Sequence, residues 1–300
     1  MSATVTTLAD RPTFAGKVGL LAGGGQFPFC FIEAAKKLGM KVVCVGIKGH
    51  ADKELRDVSD KFYWTGLARL GRMIKLFRKE GIDCVVSAGK IHRTAMFSPS
   101  RLFYMLPDFR TAKMWLFKKR RDNQDDALML AIIDEFKKDG IRFASALEVC
   151  PELLVKEGTL TSRKPTANEE RDIAFGWRLA KEMGRLDVGQ SVVVKDRVVL
   201  AVEAIEGTDQ AILRGGQLCS GGGFVVVKVA KPKQDVRFDV PAFGAQTIDS
   251  IRKAGGRVLA IEADKTILLG AEETVRLANQ YGISIVSIRQ EQAAQWEKAA

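Results

Sequence analysis

Short apolar runs alternate with amphipathic stretches along the first half of the chain. The apolar runs predict strands at 41–46, 62–65 and 82–88, and the run at 17–25 predicts a strand that leads into a glycine turn. Between and after them, residues spaced at the helical period predict helices at 29–38, 70–80 and 123–138. Strands that alternate with helices favour a parallel, doubly wound sheet. In such sheets ligands bind beyond the carboxyl ends of the strands.

The second half also mixes strands and helices. A helix is predicted at 168–183, and strands at 191–194 and 198–202 flank a short turn typical of a hairpin. We therefore predict two α/β domains, at 17–150 and 167–300. A stretch poor in apolar clusters predicts a connector at 151–166, and residues 1–16 are expected to form a loose arm.

A glycine loop follows the first predicted strand and precedes Pro28, which opens a helix. The loop consists of Gly23, Gly24, Gly25 and Gln26. Its spacing is Gly-x-Gly-x-x-Pro, where a dinucleotide fingerprint has Gly or Ala last. No acid for a ribose hydroxyl directly follows the second strand, so the pattern argues against a nicotinamide cofactor. The loop can still approach a phosphate or a sugar at a helix N-terminus.

Carboxylates gather at strand ends in the second half. The strand at 198–202 leads into Glu203, Glu206 and Asp209, and a short strand predicted at 237–239 ends at Asp239. Mg²⁺ prefers oxygen ligands and is often held by one or two carboxylates together with substrate phosphate. The alternative is that these are solvated loop carboxylates.

Two lysines, Lys231 and Lys233, lie just before Asp239. Carboxylates for a metal beside cations for phosphate favour metal-assisted hydrolysis of a phosphate ester or anhydride. No Gly-x-Ser-x-Gly elbow and no Cys-His pattern is present, which argues against a nucleophilic triad.

The net charge of +11 favours an anionic partner, such as nucleic acid, a phosphorylated metabolite or an anionic membrane. The sequence has none of the common RNA-binding motifs, so we expect no nucleic-acid partner. Five dispersed cysteines and two histidines argue against a zinc or iron–sulfur site. No apolar run approaches the roughly 18 residues of a transmembrane helix.

The segment 101–121 interleaves seven basic residues with aromatic ones and contains a single acid. One interpretation is a pair of helices packed on the sheet with a basic outer face. The other is an interfacial segment whose apolar side chains enter a membrane boundary while Lys and Arg meet anionic lipids. Both interpretations stay open at this stage.

Several segments in combination resemble the LpxI family. They are GLLAGGGQFP (19–28), DNQDDALML (122–130), GRLDVGQSVVV (184–194), VLAVEAIEGTDQAILR (199–214), KVAKPKQDVRFDVPAFG (228–244) and the pair at 247–248. The resemblance implies a Rossmann-like N-terminal domain, a connector and a second, C-terminal α/β domain. It also implies Mg²⁺- or Mn²⁺-dependent hydrolysis of UDP-2,3-diacylglucosamine to 2,3-diacylglucosamine 1-phosphate and UMP.

The resemblance also carries roles onto residues of this chain. Asp239 and Asp209 are expected to be catalytic, and Asp239, Asp125 and Asp126 are expected to hold the metal. The expected substrate-binding residues are Gly23, Gly24, Gly25, Gln26, Lys90, Gly207, Thr208, Lys231 and Lys233. An apolar groove for the acyl chains is expected beside Phe103, Met105, Trp115 and Phe117.

The resemblance further implies a homodimer, cytoplasmic and peripheral on the anionic inner-membrane surface. Three rivals remain. The first is a sugar-nucleotide or lipid-binding protein without turnover, and the second is a hydrolase of another nucleotide diphosphate. The third is an RNA-binding protein that uses the positive charge.

Overall fold

The computed structural model describes residues 14, 16–91, 106–118, 125–232 and 234–298. These residues form two compact units. The first runs through Pro151 and includes Val236–Phe238, and the second comprises Glu152–Asp235 and the residues from Asp239 onward. Of the connector predicted at 151–166, Pro151 thus belongs to the first unit and the remaining residues to the second.

The first unit has a parallel five-stranded sheet in the order β3-β2-β1-β4-β5. Its strands are β1 (Lys17–Ala22), β2 (Lys41–Ile47), β3 (Lys61–Thr65), β4 (Cys84–Ala88) and β5 (Arg142–Ala144). Its helices are α1 (Phe27–Lys37), α2 (Leu55–Val58), α3 (Leu70–Lys79), α4 (Phe109–Lys118) and α5 (Asp125–Lys138). This is the doubly wound order, and it confirms the predicted Rossmann-like sheet.

The core of the first unit explains why the apolar runs become central strands. β1 and β2 are buried along nearly their whole length, as expected for parallel strands covered on both faces. Phe77 of α3 and Phe136 of α5 pack together, and Phe136 meets Phe143 of β5 edge-on. The sheet therefore holds the loops at its carboxyl edge on a rigid base.

The second unit is built on a six-stranded sheet in the order β6-β13-β11-β9-β7-β8. It also contains a separate sheet of two parallel strands, β10 and β12. Its strands are β6 (Gly158–Thr159), β7 (Ser191–Lys195), β8 (Val198–Val202), β9 (Val225–Lys228), β10 (Ala242–Phe243), β11 (Val258–Glu262), β12 (Ile267–Leu268) and β13 (Ser284–Ile288). Its helices are α6 (Ala167–Arg185), α7 (Thr208–Leu218), α8 (Ala245–Ala254), α9 (Ala271–Gln280) and α10 (Gln290–Lys298). The predicted second α/β fold is confirmed.

Strand direction in this sheet brings several chain segments to one edge. β9, β11 and β13 are parallel, β7 runs antiparallel to β9, and β8 antiparallel to β7. The start of β7 and the ends of β8, β9 and β11 therefore share one edge. In open α/β sheets that edge is where ligands bind.

The hairpin predicted between β7 and β8 is confirmed. Its turn residues Asp196 and Arg197 both have left-handed φ values, 50° and 59°. The carboxylate of Asp172 accepts hydrogen bonds from both of their N–H groups, at 2.9 and 2.6 Å. α6 thereby fixes the turn, although burial raises the pKa of Asp172 in spite of these hydrogen bonds.

One prediction near the expected active site is wrong. The sequence predicts a strand at 237–239, but Val236–Phe238 form a turn, and β10 begins only after Pro241. The Asp239 N–H donates to the Asp235 carbonyl at 3.0 Å, which closes the turn. Phe238 packs against the core of the first unit. That contact, and not a strand, explains why an apolar residue stands at this position.

Candidate functional site

In the first unit, the loops after β1, β2 and β4 meet at the carboxyl edge of the sheet. Gly24 and Lys90 exchange two backbone hydrogen bonds of 2.9 Å, and the Gly23 N–H donates to the Ala88 carbonyl. A Cβ on Gly24 would lie 2.6 Å from the His50 carbonyl oxygen. The glycine loop is therefore needed for close backbone packing between three loops.

The same contacts occupy the donors of the loop. The Gly25 N–H donates to the Asp52 carboxylate at 3.0 Å, so Gly23, Gly24 and Gly25 all have acceptors inside the protein. These three glycines therefore have no free N–H group to donate to a ligand. Their contribution would be the space that the missing side chains leave for it. Gln26 directly precedes α1 and makes no side-chain cap. The roles of these four residues and of Lys90 in substrate binding stay a prediction.

In the second unit, Lys231 lies between two carboxylates. Its Nζ is 2.5 Å from Asp187 Oδ1 and 3.9 Å from Asp239 Oδ2. The Lys231 side chain is 12% exposed and that of Asp239 is 34% exposed. Asp239 is therefore held beside a largely buried cation and still has access to solvent. This is the arrangement expected of an acid that handles a water molecule next to a phosphate-binding cation.

Three consecutive backbone N–H groups, those of residues 229–231, donate hydrogen bonds within the protein. The Val229 N–H donates to the Gln190 carbonyl, and the Lys231 N–H donates to Gln234 Oε1. Between them, the Ala230 N–H donates to Glu262 Oε2 at 2.8 Å. These hydrogen bonds hold the backbone from which the Lys231 side chain extends.

Glu262, at the end of β11, also binds Lys181. Lys181 Nζ lies 2.5 Å from Glu262 Oε2 and donates to the Ala230 carbonyl at 3.0 Å. Burial lowers the pKa of Lys181, and the hydrogen bond to Glu262 only partly offsets that effect. The pair acts as a clamp on Ala230, next to the site.

Thr208, the first residue of α7, is part of a buried polar cluster. Its Oγ1 donates to Glu203 Oε1 at 2.9 Å and accepts from Lys228 Nζ at 2.9 Å, and Ser191 Oγ lies 3.3 Å away. A hydroxyl has one proton and two lone pairs. Because Glu203 takes the proton, the Ser191 hydroxyl is the donor in the third contact. The Thr208 hydroxyl is therefore fully used, and a ligand would meet the backbone of Gly207–Asp209.

Two carboxylate oxygens beside Thr208 have no hydrogen-bond partner among the described residues. They are Glu203 Oε2 and Asp209 Oδ1, and both are buried. Buried charged oxygens are costly unless a partner compensates them. Carboxylate oxygens are the ligands that Mg²⁺ and Mn²⁺ prefer, so the described residues fit a hard cation at this edge. Within the described part of the chain, no group of three or more His, Cys, Asp or Glu side chains is close enough to hold a metal by itself.

The remaining predicted residues divide into three groups. Glu206 is paired with Arg214, whose guanidinium donates to its carboxylate at 2.7 Å. Asp125 and Asp126 begin α5, but their side chains lie outside the described residues, as does Lys233 altogether. Their expected roles stay predictions.

Only part of the predicted acyl-chain groove lies within the described residues, and that groove stays a prediction. Trp115 packs against the core of the first unit and is partly buried, whereas Phe103, Met105 and the side chain of Phe117 lie outside the described residues. Among the described side chains of α4, two large apolar ones are exposed, Phe109 at 85% and Leu116 at 77%. Across the described residues, no helix has the length and apolar character needed to span a membrane.

Sequence reasoning missed Asp187, Lys228 and Glu262. Lys228 and Glu262 are charged residues that directly follow buried apolar runs, in VVVK and VLAIE. A buried charge at the carboxyl end of a strand is a signal that could have identified both. Asp187 has a left-handed φ of 58° in a short turn, and no sequence pattern indicates its contact with Lys231.

Comparisons with known proteins give a consistent result along the chain. The family model described as the LpxI N-terminal domain matches residues 17–153, and that of the LpxI C-terminal domain matches residues 156–286. UDP-2,3-diacylglucosamine pyrophosphatase LpxI from Caulobacter vibrioides is 31% identical over 284 residues, covering 91% of this chain and 97% of that protein.

Solved structures show only a low overall likeness. A GalE-like L-threonine dehydrogenase from Cupriavidus necator covers 94% of this chain and 88% of its own, with 10% identity and a TM-score of 0.31. The multifunctional pyruvate carboxylase from Rhizobium etli covers 48% of this chain and 14% of its own, with 14% identity and a TM-score of 0.25. These values support no statement about fold or function. The two family models and the similarity over nearly the whole length show that the chain belongs to the LpxI family.

Proposed function

We propose that this protein hydrolyses the diphosphate of UDP-2,3-diacylglucosamine, releasing UMP and 2,3-diacylglucosamine 1-phosphate. The name of the Caulobacter vibrioides relative supports the substrate. The observation that carries the proposal is the largely buried Lys231 between Asp187 and Asp239 at the carboxyl edge of the second sheet. That edge offers both a cation for a diphosphate and an accessible acid.

In the proposed reaction, water attacks the phosphorus on the UMP side. A new P–O bond forms to the water oxygen, and the bond between that phosphorus and the bridging oxygen breaks. The bridging oxygen leaves with the sugar 1-phosphate. Asp239 orients the water and takes its proton. Lys231 stabilises the negative charge that develops on the diphosphate oxygens, and it is already positioned for this by Asp187.

Mg²⁺ or Mn²⁺, when bound, would supply Lewis-acid polarisation of the phosphoryl oxygens. In the second unit Asp239 and Asp209 would hold it, because Asp209 Oδ1 is buried and unpartnered among the described residues. Asp125 and Asp126 are proposed as further ligands on the family resemblance alone. Gly207, which has a left-handed φ of 84°, precedes α7 and would let the backbone approach a phosphate.

The substrate is further proposed to contact the glycine loop and Lys90 of the first unit. Lys233 is proposed to act with Lys231 on the diphosphate. We also propose that the protein is a homodimer and that it is located in the cytoplasm. Size-exclusion chromatography with light scattering would measure the oligomeric state.

A peripheral position on an anionic membrane is proposed from α4. Phe109 and Leu116 are strongly exposed, and the exposed Lys113 lies between them in the helix. Apolar side chains next to basic ones are typical of a helix that lies in the lipid interface. Such a position would bring the enzyme to a substrate that carries two acyl chains.

The test is mass spectrometry of UDP-2,3-diacylglucosamine incubated with the protein, first with Mg²⁺ and then with EDTA. We expect UMP and the acylated sugar 1-phosphate only when the metal is present. Asp239→Asn should lower turnover by about 10²- to 10⁴-fold, the range for a lost general base. Asp249→Asn, on α8, is the matched control, because its carboxylate pairs with Lys253 and Arg252 on the same helix.

Each negative result has a defined meaning. Substrate that stays intact under both conditions would favour a binding protein or a hydrolase of another nucleotide diphosphate. If folded Asp239→Asn retained full turnover, Asp239 would not be the general base. Far-UV circular dichroism of each variant establishes that it is folded.

A further inference from the structure

Lys228 is a buried cation with no role in the reaction proposed above. It is the last residue of β9, at the ligand-binding edge of the sheet, and is only 4% exposed. Its neighbour across the antiparallel pair is Ser191, so both side chains lie on the same face of the sheet. Lysine is rarely buried to this degree unless it is paired.

The contacts of Lys228 lead to the first turn of α7. Its Nζ donates to Thr208 Oγ1 at 2.9 Å, and Thr208 donates in turn to Glu203 Oε1 at 2.9 Å. Glu203 directly follows β8, and its N–H donates to the Ser191 carbonyl at 2.9 Å. The ends of β8 and β9 and the start of β7 are thereby tied to one hydroxyl, that of the residue that begins α7.

A buried charged network of this kind joins these elements at a cost in desolvation free energy. Replacing buried ionic groups with well-packed apolar ones is often neutral or stabilising. A simple structural link therefore gives no reason for a lysine here, whereas a precisely fixed helix start does. The residues fixed by it are Gly207, proposed above to approach phosphate, and Asp209, whose Oδ1 is buried without a described partner.

We propose that Lys228 is a positioning residue that acts through Thr208. It fixes the first turn of α7 so that the Asp209 carboxylate can take a divalent cation and the Gly207 backbone can meet the substrate. This inference rests on the proposed function and adds Lys228, Thr208 and Glu203 to its machinery. Outer partners that orient metal ligands typically affect metal affinity or activity by 10–100-fold when they are mutated.

The test compares Lys228→Met and Lys228→Arg with the unmodified protein. The measurements are kcat, KM and the Mg²⁺ concentration at half-maximal rate, together with Mn²⁺ binding followed by electron paramagnetic resonance without substrate. For Lys228→Met we expect a half-saturating Mg²⁺ concentration about 10-fold higher, weaker Mn²⁺ binding and a lower kcat. Lys228→Arg keeps the charge and a donor and should recover part of the loss.

The matched control is Lys195→Met. Lys195 ends the neighbouring strand β7 at the opposite edge of the sheet, where its Nζ donates to the Gly223 carbonyl. This variant should change neither metal response. A purely structural role for Lys228 would lower the unfolding temperature of Lys228→Met while leaving its Mg²⁺ and Mn²⁺ dependence unchanged, and that result would overturn the inference.

A second pair of variants keeps the test decisive if Lys228→Met does not fold. Thr208→Ser retains the hydroxyl and should lose much less Mn²⁺ affinity than Thr208→Val, which removes the hydroxyl and should reproduce the weaker metal response. Equal metal responses for these two would overturn the inference. If the unmodified protein binds Mn²⁺ but releases no UMP, the proposed function fails and the Mn²⁺ arm still decides on Lys228. Absence of Mn²⁺ binding would overturn both the metal proposal and this inference.

Discussion

The Lys231 ammonium lies closer to Asp187 than to Asp239. Asp187 lies 1.4 Å closer to the ammonium than Asp239 does, by the difference between 3.9 and 2.5 Å. Asp187 therefore provides the closer counter-charge for Lys231. The Asp239 side chain, 34% exposed and 3.9 Å from the ammonium, can still meet water or a cation.

Asp187→Asn tests that division. With Asp187 neutral, Lys231 should move toward Asp239 and compete with the metal for it, so we expect turnover to fall by about 10-fold. The half-saturating Mg²⁺ concentration should rise, and steady-state UMP release at varied Mg²⁺ measures both. Asn tolerates the left-handed φ that Asp187 adopts, so the backbone should persist.

The matched control is Asp196→Asn. Asp196 also has a left-handed φ, but it lies in the β7–β8 turn at the other edge of the sheet. Its turnover should be unchanged. Normal Mg²⁺ dependence in folded Asp187→Asn would show that Asp187 does not set the position of Lys231.

At the residue scale, sequence reasoning located acids by their place at strand ends. It selected Asp209 and Asp239 because each lies near the end of a predicted strand, although the strand predicted at 237–239 is a turn. It did not find Asp187, because that contact depends on a turn 44 residues away from Lys231. The sequence also carries no sign that the Thr208 hydroxyl is fully used, since only the positions of its three neighbours show this.

At the element scale, the segment predicted to be a connector is bound into the second unit. β6 pairs with β13, and the Val155 N–H donates to the Thr266 carbonyl. The Asp264 carboxylate accepts from Lys156 and from Arg289, each at 2.8 Å. A strand of two residues has no periodicity to read, so this pairing was not predictable from the local pattern.

Asp264→Asn should reveal the contribution of these ion pairs through pH. The hydrogen bond from Lys156 holds the pKa of Asp264 below its ordinary value, helped by Arg289 and opposed by burial. The unfolded chain therefore binds more protons than the folded one between the two pKa values. The pairs stabilise the protein above the unfolded pKa of about 3.9, and this stability is lost as the pH falls through the folded pKa.

The free energies of unfolding of Asp264→Asn and the unmodified protein should differ slightly at neutral pH and be equal in acid. Two partly exposed ion pairs contribute about 0.5–1 kcal/mol, so Asp264→Asn should be less stable by that amount at pH 7. Urea unfolding at several pH values measures it. A deficit that persisted unchanged at about pH 2 would indicate a packing effect instead of charge.

The start of α6 offers a second test at this scale. Thr166 and Glu169 form a capping box, and the Glu169 carboxylate also binds Arg163 at 2.7 Å. Thr166→Ala should lower the free energy of unfolding by about 1 kcal/mol, because a helix N–H loses its acceptor. Thr166→Ser keeps the acceptor and should lose much less in urea unfolding. Equal losses would show that the cap does not contribute.

At the scale of the whole molecule, the two units differ in how far sequence reasoning reached. In the first, each strand is followed by a helix, and right-handed crossovers leave few possible strand orders. In the second, hairpin, parallel and two-residue strands share one sheet, and β6 joins it next to β13 from more than a hundred residues away along the chain. Its strand order follows from long-range packing, which no local pattern contains.

The position of the whole molecule on a membrane is the last prediction. Vesicles of phosphatidylcholine containing phosphatidylglycerol should bind the protein, and pure phosphatidylcholine vesicles should bind it weakly, because the charge of +11 requires an anionic surface. The double variant Phe109→Ser with Leu116→Ser should bind anionic vesicles about 10- to 100-fold more weakly in sedimentation assays. Each of these apolar side chains is worth about 1.5–3 kcal/mol when fully buried, and about half of that when it is only partly buried at a lipid interface. Leu38→Ser, 56% exposed in the same unit, is the control and should bind normally. If the double variant binds like the unmodified protein, α4 is not the contact, and binding that depends only on salt would assign the association to charge alone.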